Sequence, residues 1–281
     1  MYPVNKIENC FNYIELPSTM ADAPILVFLH GFPDNAFGWE KQFEELRGTY
    51  HLIAPFMHGT LEDGRLNRRN LELSKIKSDF KKFLVTVNPE QRELYLVGHD
   101  LGCFLGTATA HDQDLKISGL ININGLGLSQ YVGRKFSLSQ WLKSYYILLA
   151  QFSFTRKLVS KTMPNFFLKL IYNLSGLSKD DTIRKNDSKA LSFIYIYTRL
   201  FIRSWDLLFQ KTRRLKTPTL FIWGKDDNFL NYPTRTEAGK YFENYAIRII
   251  PGGHWVSRSN YKHVNRLIKM TIENWQLGAS S

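Results

Sequence analysis

Cysteine is scarce in this sequence, and long apolar runs are missing. Only Cys10 and Cys103 occur among 281 residues, which is too few for a disulfide framework, and no Cys/His cluster suggests zinc. No apolar run approaches the roughly 18 residues of a membrane span. The first ten residues lack the apolar stretch of a secretory signal. We therefore expect a reduced, cytoplasmic protein without a metal site.

Acidic residues are scarce in one segment. Residues 129–214 hold 16 of the 37 Lys and Arg but only 4 of the 25 Asp and Glu, so the rest of the chain has 21 of each. The net charge of +12 therefore lies in this segment, together with 16 of the 40 aromatic residues. Such a segment fits either peripheral contact with an anionic membrane or a solvated basic face over an aromatic core. The absence of a nucleic-acid-binding motif argues against nucleic acid as a partner.

Short apolar runs, each followed by turn residues, recur along the chain. They cover residues 25–29, 50–54, 94–97, 120–123, 219–223 and 247–250. Continuous apolar runs are typical of parallel strands buried on both faces. Helical patterns lie between them, at residues 73–87, 102–111 and 261–275. The alternation predicts an α/β fold with a doubly wound sheet.

Residues 130–214 do not show this alternation of strands and helices. They show helical patterns, such as those at 138–149 and 191–208, and no convincing central strand. We therefore predict a core of residues 1–128 and 215–281 with a helical cap inserted over 129–214. The sequence leaves open whether the protein is a monomer or a homodimer.

The strongest motif is Gly98-His99-Asp100-Leu101-Gly102, which follows an apolar strand and precedes a helix. It has the pattern G-x-nucleophile-x-G of a nucleophile elbow, in which the glycines allow a tight turn that lifts the central side chain. The alternative is that Asp100 only caps the helix. A carboxylate that attacks an ester carbonyl gives a mixed anhydride, which offers little advantage over the ester itself. Attack on a saturated carbon gives an alkyl ester, so epoxides and alkyl halides are the natural targets.

Two loops could supply partners for this nucleophile. The turn His30-Gly31-Phe32-Pro33 follows the strand at 25–29, so the backbone N–H of Phe32 can join that of Leu101 in an oxyanion hole. We also consider His30 and Pro33 as substrate contacts, although a structural role fits His30 better.

A late glycine loop carries His254 and Trp255. His254 is placed to activate water, and Trp255 is a further candidate substrate contact. A carboxylate should hold the histidine tautomer, and both Asp226 and Asp227 follow the strand at 219–223. We favour Asp227. Asn124 follows the strand at 120–123, which argues against an acid from that strand.

With these motifs in this order (HGFP, GHDLG, WGKDD and GGHW) the chain resembles the α/β-hydrolase superfamily, in its epoxide hydrolase and haloalkane dehalogenase branch with an Asp nucleophile. The resemblance covers residues from about 20 to 128 and 215 to 275. It implies an α/β-hydrolase fold: a mostly parallel eight-stranded sheet flanked by helices, with a helical cap after strand 6. It also implies an enzyme that needs no cofactor.

Epoxide hydrolases of this kind use cap tyrosines to protonate the epoxide oxygen. By this resemblance Tyr146 is the first such tyrosine. The second is expected directly before Arg199, where Thr198 stands, so Tyr197 serves if the helix is shifted. A structural role within the cap remains the alternative for both tyrosines.

Dehalogenases of the branch carry Trp or Arg after the nucleophile, and Leu101 stands there instead. Epoxide hydrolysis of an apolar small molecule is therefore the leading hypothesis. The alternatives are a haloalkane or haloacid dehalogenase and a hydrolase-fold protein that binds a ligand without chemistry.

Overall fold

Eight strands form one sheet in a computed structural model, which describes residues 2–7, 10–57, 73–133, 140, 143, 152–185 and 213–279. The strands are β1 (Val4–Asn5), β2 (Tyr13–Leu16), β3 (Ile25–Leu29), β4 (His51–Pro55), β5 (Leu94–His99), β6 (Gly119–Ile123), β7 (Thr219–Gly224) and β8 (Tyr245–Ile250). Their order is β1-β2-β4-β3-β5-β6-β7-β8. β1 and β2 pair antiparallel with their neighbours, and all other pairs are parallel. The predicted fold class is confirmed.

Helices connect the parallel strands. The described α-helices are α1 (Glu40–Leu46), α2 (Leu73–Val87), α3 (Leu101–Ala110), α4 (Leu128–Gly133), α5 (Ser153–Lys157), α6 (Pro164–Leu174), α7 (Arg235–Ala238), α8 (Val256–Ser259) and α9 (Tyr261–Ala279). The predicted helix at 73–87 has the observed bounds, and the predicted helices at 102–111 and 261–275 correspond to α3 and α9.

The two faces of the sheet are both covered. Along β3, the side chains of Ile25, Val27 and Leu29 join one buried apolar cluster. Those of Leu26 and Phe28 join a second cluster on the opposite face. Successive strand residues point to opposite faces, so a strand between two layers of helices is apolar throughout. This burial explains why continuous apolar runs identified the central strands.

The chain between β6 and β7 carries helices where the structure describes it. They are α4, α5, a π-helix (Leu158–Thr162), α6 and a 3-10 helix (Thr182–Lys185). This agrees with a helical insertion after strand 6, and its bounds at 129–214 remain a prediction. The helices predicted at 138–149 and 191–208 lie, except for Gln140 and Lys143, outside the described residues. None of the helices in the described ranges combines the length and apolar character that crossing a bilayer would need.

Candidate active site

Asp100 stands at the tight turn between β5 and α3. Its backbone has φ 50° and ψ −117°, a conformation that L-residues rarely adopt. A side chain on Gly102 would place its Cβ 2.0 Å from the carbonyl oxygen of Leu29, so only glycine allows α3 to start this close to β3. The Asp100 side chain makes no helix-capping hydrogen bond. The capping alternative is therefore not supported.

The Asp100 carboxylate faces the two backbone N–H groups that the motifs indicated. Phe32 donates its N–H to Oδ2 of Asp100 at 2.9 Å. Burial raises the pKa of Asp100 above its usual value, while the charge of His254 and the N–H groups of Phe32 and Leu101 act in the opposite direction. The site thus holds a buried carboxylate with one oxygen bound by backbone donors and the other, Oδ1, turned towards His254.

His254 lies on the loop after β8, between the two carboxylates. Its Nδ1 is 2.9 Å from Oδ2 of Asp227, and its Nε2 is 3.9 Å from Oδ1 of Asp100. Burial lowers the pKa of His254, but the charge and hydrogen bond of Asp227 outweigh it and raise that pKa above its usual value. An Nδ1–H that donates to Asp227 leaves the Nε2 lone pair facing Asp100. The 3.9 Å separation exceeds a hydrogen bond, so His254 and Asp100 make no direct hydrogen bond to each other.

Asp227 is the aspartate that turns inward, whereas Asp226 is exposed. Oδ1 of Asp227 accepts the N–H groups of Phe229 and Leu230 at 2.8 and 3.0 Å. Burial raises the pKa of Asp227, but His254 and these donors lower it overall. Of the two aspartates, the structure therefore brings Asp227, the one that the sequence favoured, into contact with His254.

Asn124 belongs to the same network, although sequence reasoning used it only to argue against an acid on its strand. It follows β6 with φ 43°, and its Nδ2 donates to Oδ2 of Asp227 at 2.6 Å. Its Oδ1 accepts the N–H of Gly224 at 3.0 Å. The sequence did offer one signal for Asn124 as a site residue, which is its place at the carboxyl end of a predicted strand.

His30 occupies the interior rather than the surface of a pocket. Its Nε2 accepts the N–H of Met57 at 3.0 Å, and its Nδ1 lies 3.0 Å from the carbonyl oxygen of Gly31. Burial lowers the pKa of His30 to about 4, so it is neutral at pH 7. These contacts favour a structural role over the substrate contact also considered. Pro33 is buried beside Phe32.

Trp255 packs beneath the catalytic candidates. Its ring meets that of His254 edge-on at 5.1 Å and that of Tyr172 at 5.7 Å. Its Nε1 donates to Oδ2 of Asp34 at 3.4 Å. Burial raises the pKa of Asp34 to about 6, against the lowering effect of Arg258. Trp255 thus connects the histidine loop with α6, the helix that carries Tyr172.

The end of α6 touches the histidine loop directly. A Cβ on Gly253 would lie 2.2 Å from the carbonyl oxygen of Ser175, so the backbone of residues 175–176 packs against that of Gly253. Farther along, the guanidinium of Arg258 binds Oδ1 of Asp181 at 2.7 Å and Oε1 of Glu40 at 2.8 Å. The segment after α6 therefore contacts the core at Gly253, which precedes His254, and at Arg258, which follows it.

Two polar residues of the inserted segment reach the loop that carries Asp227. Gln140 donates to the carbonyl oxygen of Phe229 at 3.1 Å and accepts the N–H of Asn231 at 2.9 Å. Lys143 donates to the carbonyl oxygen of Asp227 at 2.5 Å. The tyrosines that the resemblance indicated, Tyr146 and Tyr197, and the competing Thr198 lie outside the described residues.

Comparison with known proteins shows the family of the chain. Residues 24–260 match the alpha/beta hydrolase fold family. The chain is 26% identical over 263 residues to Epoxide hydrolase 4 of Homo sapiens, covering 87% of this chain and 71% of that protein. It is 25% identical to the AB hydrolase superfamily protein YfhM of Bacillus subtilis, covering 90% and 91%.

Solved structures share the fold. An epoxide hydrolase of Bacillus megaterium in complex with an inhibitor aligns with a TM-score of 0.78 at 18% identity, covering 96% of this chain and 100% of that one. A laboratory-evolved variant of potato epoxide hydrolase aligns with a TM-score of 0.79 at 19% identity, covering 98% and 99%. The chain belongs to the α/β-hydrolase fold family as a hydrolase and is similar to the epoxide hydrolase branch of that family.

Proposed function

We propose that this protein is an epoxide hydrolase that opens an apolar epoxide to a vicinal diol through an alkyl ester on Asp100. The observation that carries the proposal is the position of the Asp100 side chain at the elbow. It is a carboxylate, with Oδ2 held by the N–H of Phe32 at 2.9 Å and Oδ1 facing His254. Relatives named epoxide hydrolase support the same reading. The aromatic richness of residues 129–214 favours an apolar substrate.

In the first half-reaction, Oδ1 of Asp100 forms a bond to an epoxide carbon while the carbon–oxygen bond of the ring breaks. The alkoxide that results takes a proton from an acidic O–H, the role we assign to Tyr146 and, with it, Tyr197. Asp100 must be ionised to attack. The N–H groups of Phe32 and Leu101 favour the ionised form within a buried site.

In the second half-reaction, Nε2 of His254 takes a proton from water, and the hydroxide attacks Cγ of Asp100. The negative charge that develops on Oδ2 is stabilised by the N–H groups of Phe32 and Leu101. The bond from Cγ to Oδ1 then breaks, and Oδ1 leaves in the diol after it takes the proton from His254. The oxygen of the attacking water stays on Cγ, and the remaining carboxylic proton returns to the tyrosinate, which restores Asp100 and the cap tyrosine. Asp227 stabilises the imidazolium through its 2.9 Å contact with Nδ1.

Trapping the ester tests this proposal. His254→Ala removes the base of the second half-reaction only, so the variant should accumulate a covalent adduct when it is exposed to a panel of epoxides and haloalkanes. Intact-mass spectrometry should show a gain equal to one whole epoxide, on a peptide that contains Asp100. Wild-type protein treated in the same way should return to its original mass.

The double variant Asp100→Asn/His254→Ala is the matched control, because it keeps the cavity and removes the nucleophile. An adduct in this control would contradict the role of Asp100. A gain equal to a haloalkane minus hydrogen halide, without epoxide adducts, would make the protein a dehalogenase. Tight binding of panel compounds to wild-type protein, without adduct or turnover, would instead indicate a binding protein.

A further inference from the structure

Helix α6 has two apolar faces, of which the structure buries only one. Leu168 and Tyr172, four residues apart, are buried. Phe166, Leu170 and Leu174 are also spaced by four and therefore form one row along the helix. This second row is exposed, with 58% of the Phe166 surface accessible to solvent. A helix with apolar residues on opposite sides normally has a partner on each side.

Further exposed apolar residues precede α6 in the sequence. Phe152, Phe154 and Met163 expose 64%, 76% and 48% of their surface, respectively. Single exposed apolar side chains are common, but large aromatics gathered in one short segment mark an interaction site. We call these three residues and the row on α6 the apolar surface.

Positive charge accompanies the apolar surface. Residues 152–179 contain five Lys or Arg and no Asp or Glu. Four of the basic side chains are exposed; they are Lys157, Lys161, Lys169 and Lys179. Lys169 belongs to a polar row on α6 with Asn165 and Asn173, adjacent to the row that contains Phe166. Apolar and basic side chains thus face solvent side by side on the same helix.

We infer that the apolar surface docks on the face of an anionic phospholipid bilayer. Protruding aromatic and aliphatic side chains can enter the headgroup boundary while neighbouring lysines contact lipid phosphates, as interfacial amphipathic helices do. A second copy of this chain fits less well, because symmetric pairing would bring two basic surfaces together without acidic partners.

Docking in this way would place the catalytic candidates close beneath the lipid surface. The buried face of α6 contacts Trp255 through Tyr172, and Trp255 contacts His254. The inference itself rests on exposure and charge, and binding to lipid can be measured without any turnover. Failure of the docking test therefore leaves the proposed reaction untouched, and failure of the ester-trapping test leaves the docking surface untouched.

Vesicle co-sedimentation of the full chain tests the inference. We expect wild-type protein to bind vesicles of equimolar phosphatidylglycerol and phosphatidylcholine at least about tenfold more tightly than vesicles of phosphatidylcholine alone, and to release them as salt is raised. Equal binding to the two vesicle types, or binding to neither, would overturn the inference.

Paired variants locate the surface. Phe166→Ser/Leu170→Ser and Lys161→Glu/Lys169→Glu should each weaken binding to the anionic vesicles by about tenfold or more. Lys262→Glu/Lys269→Glu on α9 makes the same change in net charge at exposed positions of the core and should bind nearly as wild type does. Unfolding midpoints of the exposed variants should stay near that of wild type.

Two results would overturn the assignment of the surface. One is an equal loss of binding in the α9 charge variant, which would mean attraction by net charge alone. The other is a wild-type dimer in analytical ultracentrifugation that Phe166→Ser/Leu170→Ser converts to monomers, which would make the apolar surface an interface between copies.

Discussion

At the scale of single residues, the candidate site depends on how Asp227 is held. Its two oxygens accept hydrogen bonds from the backbone of Phe229 and Leu230, from Asn124 and from His254. These donors lower the pKa of Asp227 despite its burial. A carboxylate that is fully hydrogen-bonded and ionised can fix the tautomer of His254. We therefore propose that Asn124 is a positioning residue that acts through Asp227.

We predict that Asn124→Ala slows hydrolysis of the ester more than its formation. The loss of a 2.6 Å hydrogen bond to a charged group costs about 1.5–3 kcal/mol, which corresponds to roughly 10- to 100-fold in rate. Intact-mass spectrometry during turnover should then detect ester on the variant. Asn122→Ala is the control, because Asn122 is buried on the same strand and donates to Thr107 instead. Equal ester levels in the two variants would exclude the positioning role.

Residue-scale detail was the hardest part to foresee. The sequence indicated the nucleophile, the histidine and the N–H of Phe32, since each stands in a motif after a strand. It favoured Asp227 over Asp226 but gave no contact for either, because the contact depends on which side chain the turn directs inward. The contact of Asn124 with Asp227 depends on β6 and β7 being neighbours, which no local pattern reveals.

At the scale of elements, the central strands were predictable because burial on both faces leaves a continuous apolar run. The antiparallel strands β1 and β2 were not identified individually, since they have two and four residues and are only partly buried. Helix α1 was missed as well. Its sequence EKQFEEL is mostly polar, and few of its residues are buried. The spacing of its apolar residues therefore gives only a weak helical pattern.

Ion pairs join elements that are distant in sequence. Arg258 on α8 is 1% exposed and binds Asp181, which follows α6, and Glu40 at the start of α1. Burial raises the pKa of Asp181, but its hydrogen bond and ion pair with Arg258 lower it overall. Removal of one partner of a buried pair leaves a charge that is poorly compensated.

We predict that Asp181→Asn destabilises the protein by about 3 kcal/mol, near the lower end of the range for broken buried pairs, because Glu40 still binds Arg258. The free energy of unfolding in urea at pH 7 would measure the loss. Asp180→Asn is the matched control, since Asp180 is the exposed neighbour. Two variants of equal stability would show that the ion pair contributes nothing.

At the scale of the whole molecule, buried neutral histidines make stability depend on pH. Burial lowers the pKa of His30 to about 4 and that of His99 to about 3, from a usual value of about 6.5 in an unfolded chain. As pH falls below 6.5, the unfolded state binds protons that the folded state does not. Each of these histidines therefore lowers the free energy of unfolding until its folded pKa is reached. The raised pKa of Asp34 acts in the opposite direction over the same pH range.

We expect His30 to lower the free energy of unfolding by about 3 kcal/mol between pH 7 and pH 4. The asparagine of His30→Asn cannot titrate, so the free energy of unfolding should depend less steeply on pH between 7 and 4, although the variant will be less stable at pH 7. Chemical denaturation at a series of pH values measures the slope. Ile53→Val, a core substitution without a titrating group, should lower stability by about 1 kcal/mol and keep the wild-type slope. If the free energy of unfolding of His30→Asn depends on pH as steeply as that of wild type, His30 does not contribute to the pH dependence.

The close packing of Ser175 against Gly253 has a consequence for anyone who would engineer this protein. A common way to admit bulkier compounds is to shift the helices that cover a pocket. Here α6 ends against the backbone beside His254, at a distance that leaves no room for even one methyl group. Displacing α6 would therefore also displace the backbone beside His254, the residue that we propose activates water. We expect variants at the opposite end of α6 to disturb His254 less.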